Sequence, residues 1–219
     1  KKEIEIVVDN FLMLSNDYRE LSTKIMIGKS LDMDELSLSV LNRAISIVEG
    51  FRTLFLEENV LAAVHLIRIQ IDSLIRYNSV LIAENNEYLE QVLNGQQINQ
   101  FKDLNNKHFS DRYLTEETSK DFKEIESLYN KYCGYIHFGE EHLDYIKSNP
   151  NKENVKFRIE VGNNNNYTSE QIQNFVEDMI YVSIAIYKLL EMWSKIRLEV
   201  IENHKKISTS EEIEIYKGE

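Results

Sequence analysis

The sequence predicts an all-α fold, an up-and-down bundle of four to five long helices with a small β-hairpin inserted. Three observations lead there. The 219 residues include seven Gly and one Pro, too few for the many tight turns of an all-β or doubly wound fold. Apolar residues recur at three- and four-residue steps along most of the chain, the period of an amphipathic helix. Only residues 155–161 switch to a period of two, as a half-buried strand does.

Taken in order, Ile4, Val7, Val8, Phe11, Leu14, Tyr18, Leu21 and Ile25 share one face of a first helix over Glu3 to Ile27. Gly28 closes it, because Gly tolerates the left-handed conformation of a helix end. A second helix opens at Asp34, a good N-cap, turns Leu38, Leu41, Ile45, Val48, Phe51 and Phe55 inward, and stops near Glu57. The third, from about Asn59 to Glu84, is apolar on most sides and so belongs in the middle of the bundle. Glu87 to Leu104 reads as a shorter helix around Gly95, followed by a polar loop through Asp111. A fourth long helix spans Thr118 to Phe138, with Phe122, Ile125, Tyr129, Tyr132 and Ile136 on one face. Val155, Phe157, Ile159 and Val161 alternate with charged residues and pair with the segment from His142 to Lys147, so the hairpin falls near 142–161. Thr168 and Gln171 form a capping box for a last long helix ending near His204.

This gives one helical domain over residues 1–205 and a polar C-terminal tail over 206–219. Hydrophobic residues at 42% and charged residues at 28% suit a globular chain rather than a disordered one. A single cysteine, Cys133, leaves no internal disulfide framework. No run of about 18 apolar residues is present to span a membrane, so the expected compartment is the cytoplasm. The net charge of −12 disfavours long-range attraction to nucleic acid or anionic lipid, although a local basic site is compatible with it.

The chemistry-bearing residues fall into three groups. On the third helix His65, Arg68, Asp72, Arg76 and Ser79 interrupt the apolar sequence and fall within an arc of roughly 80°, forming one polar stripe. Asp72 lies four residues from each arginine, within reach of both. The stripe is either a solvent face or salt-bridge ladder, or a site in which the two guanidinium forks bind a phosphate or carboxylate and His65 exchanges protons. Next, LYNKYCGYIHFGEEH carries Tyr129, Tyr132, Cys133, Tyr135 and His137. No HxxxH or ExxH spacing accompanies His137, which argues against a metal; a helix-capping role explains it equally well. No cofactor is indicated. Last, Arg197 and His204 stand two turns apart on one face of the final helix.

With these residues in hand, the chain resembles the HEPN-like group of bacterial helical bundles, in particular its uncharacterised members. The resemblance lies in LIRIQID on a central apolar helix, with Arg68 and Asp72, and in YNKYCGYIHFG, with His137. It covers roughly residues 51–138. Many members of that group are ribonucleases of toxin, phage-defence or stress systems that use an Arg-x4-6-His motif at a dimer interface. Arg197 and His204 satisfy the spacing with six residues between, but Leu198 stands where active members carry a polar residue. If the resemblance extends to activity, Arg197 stabilises charge on the scissile phosphate while His204 or His137 moves a proton, without metal.

Three functions follow as expectations. The first is an HEPN-like bundle that acts through self-association or a protein partner, with Arg68, Asp72 and His137 organising its core. The second is a metal-independent ribonuclease, which makes RNA the partner. The third is an anion or small-molecule sensor, in which His65, Arg68, Asp72, Arg76 and Tyr129 line the ligand site.

Overall fold

The computed structural model describes residues 2–28, 30–83, 86–137, 139 and 167–216, with side chains from 10 to 203 apart from that of Asn86. Among the described residues it is all-α. Seven helices run in the order α1 (Lys2–Ile25), α2 (Asp32–Leu56), α3 (Val60–Ala83), α4 (Asn86–Leu93), α5 (Asp111–Thr118), α6 (Ile125–Ile136) and α7 (Ser169–Tyr216). A single 3-10 turn covers Ile98–Gln100. The only extended pairing among these residues is an isolated antiparallel bridge between Lys102 and His108. The hairpin expected near 142–161 lies outside the described residues.

Several boundaries differ from the sequence expectation, each for a local reason. Helix α2 opens at Asp32, with Leu31 as its N-cap; Asp34 serves the cap from inside the helix, its Oδ2 accepting from the Leu31 amide at 2.9 Å. The helix expected over 87–104 ends at Leu93, because Gly95 takes a φ of 84° and closes it. Beyond the 3-10 turn the chain forms a loop held by Asp103, whose Oδ1 accepts from the amides of Lys107 at 2.7 Å and Asn105 at 3.0 Å. Where a polar loop is expected through Asp111, helix α5 begins, capped by Ser110, whose Oγ accepts from the Tyr113 amide. The fourth long helix, expected over Thr118 to Phe138, is shorter: α6 begins only at Ile125, after the turn that follows α5. Helix α7 passes the expected stop near His204 and runs 48 residues to Tyr216, so most of the predicted tail is helical. Helix α1 ends at Ile25, two residues short of the expected Ile27, with Gly28 just beyond at a φ of 86°, and the Thr168–Gln171 capping box is formed in both directions.

Side-chain pairings give the helix directions. Tyr18 bonds Ser183 and Arg197 bonds Ile27, so α1 and α7 run the same way. Ser37 meets Tyr77 while Arg43 meets Ser73, so α2 opposes α3. Glu124 meets Tyr181 and Lys131 meets Asp178, so α6 opposes α7. Helix α3 packs against α2, α5, α6 and α7, which explains why it is apolar on so many sides. Its Val64, Ile67, Ile71, Leu74 and Ile75 have no exposed surface. Burying such side chains, at roughly 1.5–3 kcal/mol each, is what holds this central position.

Candidate functional site

The interior position of α3 decides what its polar stripe can do. Helices α5 and α6 cross over the stripe, so its charged residues are neither in open solvent nor fully sealed. Arg68 is 12% exposed, Asp72 23%, Arg76 35% and Asp111 39%. These four form a closed ring of alternating charge. Arg76 Nε donates to Asp72 Oδ2 at 2.9 Å, and its NH2 donates to Asp111 Oδ1 at 2.9 Å. Arg68 faces the same two carboxylates less closely, with NH1 3.5 Å from Asp72 Oδ1 and NH2 3.7 Å from Asp111 Oδ2.

Helix α6 completes the ring. The Arg68 guanidinium lies 4.0 Å from the Tyr129 ring centroid, and its Nε donates to Cys133 Sγ at 3.4 Å. Tyr129 donates its hydroxyl to Asp111 Oδ2 at 3.3 Å. Burial pushes the Tyr129 phenol up to about 12, against the pull of Arg68, so it remains a neutral donor at ordinary pH. The ring joins three helices through two cations, two anions and one phenol. It fixes α5 and α6 on α3, and it presents two converging guanidinium forks at a partly open surface.

The structure thus brings together Arg68, Asp72, Arg76 and Tyr129 from the sequence-predicted set, and adds Asp111 and Cys133. The sequence signal for Asp111 is Ser110 directly before it, an N-cap followed by an acid in the first turn. His65 points elsewhere. Its Nδ1 donates to the Leu61 carbonyl, one turn back on its own helix, at 2.7 Å. His137 is an exposed C-cap of α6, its amide donating to the Cys133 carbonyl at 3.0 Å.

Arg197 occupies a different environment. It is 1% exposed and pairs with Asp34, 4% exposed, Nε donating to both carboxylate oxygens at 2.9 Å. Its NH1 donates to the Ile27 carbonyl at 2.5 Å, and Trp193 Nε1 donates to the same Asp34 at 2.9 Å. This guanidinium is committed to tying α7 to the start of α2 and the end of α1. His204 lies on the α7 backbone, and its side chain is outside the described residues.

A second network, Lys131 and Tyr132 both donating to Asp178 Oδ2, at 2.7 and 2.5 Å, joins α6 to α7. An open groove of about 470 Å³ borders α3, α5 and α7, floored by Leu81, Ile82, Phe122 and Leu189. Among the described residues no cluster of His, Cys, Asp or Glu is grouped to hold a metal ion, and no helix is long and apolar enough to cross a membrane. No protein family profile matches the chain, and neither a curated protein nor a solved structure matches it.

Proposed function

We propose that this chain is an HEPN-like helical bundle that acts by associating with a second copy of itself, through the end where α1 meets α7. The observation that carries this reading is an apolar surface at that end. Met26 and Ile27 are each 61% exposed and Leu198 is 46% exposed. They flank the point where Arg197 bonds Ile27 and where Ile201 lies against Gly28. Met26 and Ile27 adjoin in sequence, and large apolar side chains exposed at one end of a helix pair favour burial against another protomer. Helix α7 continues beyond this point for 15 residues after Ile201.

The ribonuclease reading is less favoured, because Arg197 is buried against Asp34 and would have to break that pair to reach a phosphate. Both readings are tested on one preparation. Light scattering behind size exclusion should give a dimer for the native chain and a monomer for Met26→Asp with Ile27→Asp. A monomer at all concentrations for the native chain would refute the proposal. Incubation with a mixed RNA pool in EDTA should give no cleavage above a mock preparation, whereas cleavage abolished by His204→Ala or His137→Ala would favour the nuclease.

A further inference from the structure

The ring on α3 contains one ligand that does not belong to α3 or α6. Asp111 comes from the first turn of an eight-residue helix, it is the most exposed of the four charged residues, and its carboxylate is contacted by both guanidiniums and by the Tyr129 hydroxyl. That is the contact set of a bound anion. The fit is uneven. On the Arg76 side the bond is short, at 2.9 Å. On the Arg68 side neither terminal nitrogen has a carboxylate oxygen closer than 3.5 Å, beyond the roughly 2.7–2.9 Å of a charge-assisted hydrogen bond. Arg68 is the most buried member, yet its fork is aimed at oxygens it does not fully reach.

We propose that Arg68, Arg76 and Tyr129 form a binding site for a phosphate-class oxyanion, in which the Asp111 carboxylate is a built-in stand-in that the ligand displaces. A phosphate-class oxyanion presents three or four oxygens where a carboxylate presents two, and it can carry a second negative charge, so it satisfies both forks and the phenol together. With Asp111 turned out to solvent, two guanidiniums face the single Asp72 carboxylate, and the site gains the net positive charge that Asp111 now cancels. Asp72 keeps Arg76 oriented, and Cys133 and the Tyr129 ring keep Arg68 oriented. The site stands apart from the α1–α7 end and does not depend on association.

A stand-in lowers apparent affinity by the fraction of molecules in which it is displaced. Isothermal titration of the full chain with inorganic phosphate, at constant ionic strength balanced by chloride, should therefore give binding about tenfold or more tighter for Asp111→Asn than for the native chain. Adding Arg68→Gln to Asp111→Asn should abolish it. Equal binding by native chain and Asp111→Asn, or binding that survives loss of Arg68, would overturn the proposal. Far-UV circular dichroism establishes that each variant is folded. Should Asp111→Asn unfold, Tyr129→Phe replaces it, with weaker phosphate binding expected and unchanged binding overturning the site. A 5′-phosphorylated RNA oligomer and its 5′-hydroxyl counterpart separate the sources. Preference for the phosphorylated form assigns a phosphomonoester end, and binding of inorganic phosphate alone assigns the free ion. Oligomer binding indifferent to the 5′ phosphate counts against the site.

Discussion

Replacing Asp34 with Asn removes one negative charge from a place where solvent cannot substitute for it. Asp34 is 4% exposed and Arg197 is 1% exposed, so the change takes the paired carboxylate away from a guanidinium in the interior. Breaking a buried pair from one side costs about 3–5 kcal/mol, chiefly through the uncompensated charge that remains. Asp34 also accepts from the Trp193 indole and the Leu31 amide, and Asn retains a single acceptor oxygen for all of these donors. The whole stability of a domain is about 5–15 kcal/mol, so this one substitution should remove a large part of it. For a chain of this size, about 2–4 °C per kcal/mol converts the loss to a fall in Tm of about 6–20 °C. Urea unfolding followed by far-UV circular dichroism measures it directly. Replacing both partners, Asp34→Leu with Arg197→Met, should recover part of the loss, because no charge is left buried. Recovery stays incomplete, since the Ile27 carbonyl and the Leu31 and Trp193 donors lose their partners, at about 1–3 kcal/mol for each group left buried and unsatisfied. A loss below about 1 kcal/mol for Asp34→Asn would refute the reasoning, since an interaction that weak is typical of a solvated pair.

Two further outcomes are expected from the same structure. Burial raises the phenols of Tyr18, Tyr77 and Tyr132 above their usual 10.0 and pushes those of Tyr88 and Tyr129 up to about 12. Folded values above unfolded ones favour the native state fully below about pH 10, and this contribution disappears as pH rises through the folded values. Tyrosinate absorbance should thus lag in the native protein relative to the urea-unfolded chain, with stability falling from pH 10 upward; coincident titration curves would contradict this burial. Glu58 ends α2 with a φ of 58°, a left-handed conformation that costs a side-chain-bearing residue about 1–2 kcal/mol and Gly almost nothing. Glu58→Gly should therefore raise Tm by a few degrees, and a lower Tm would show that other Glu58 contacts outweigh the backbone term.

The all-α class was legible in the sequence because it depends on local quantities. Scarcity of Gly and Pro, a sustained 3.6-residue period and specific end signals act within a few residues of chain. Gly28 and the Thr168–Gln171 box could be placed without any knowledge of neighbours. The central position of α3 was legible too, because a helix apolar on most sides has to be surrounded. Less visible was the break between α5 and α6, which the apolar spacing runs straight through. Asp111 stands in the first turn of α5, a helix that the sequence reading left unassigned, and the ring depends on it.

The polar residues show the same division most clearly. The sequence by itself determined that Arg68, Asp72 and Arg76 share a helix face, since helical geometry fixes a four-residue spacing. It also put Arg197 and His204 on one face, and by spacing alone those two motifs looked alike. Tertiary structure decided that Arg197 is sealed against Asp34, 163 residues earlier, while Arg68 and Arg76 meet an acid from a separate helix at a partly open surface. The physical reason is that the availability of a charge depends on its desolvation and on the counter-charge brought to it, and both come from elements far away in the chain.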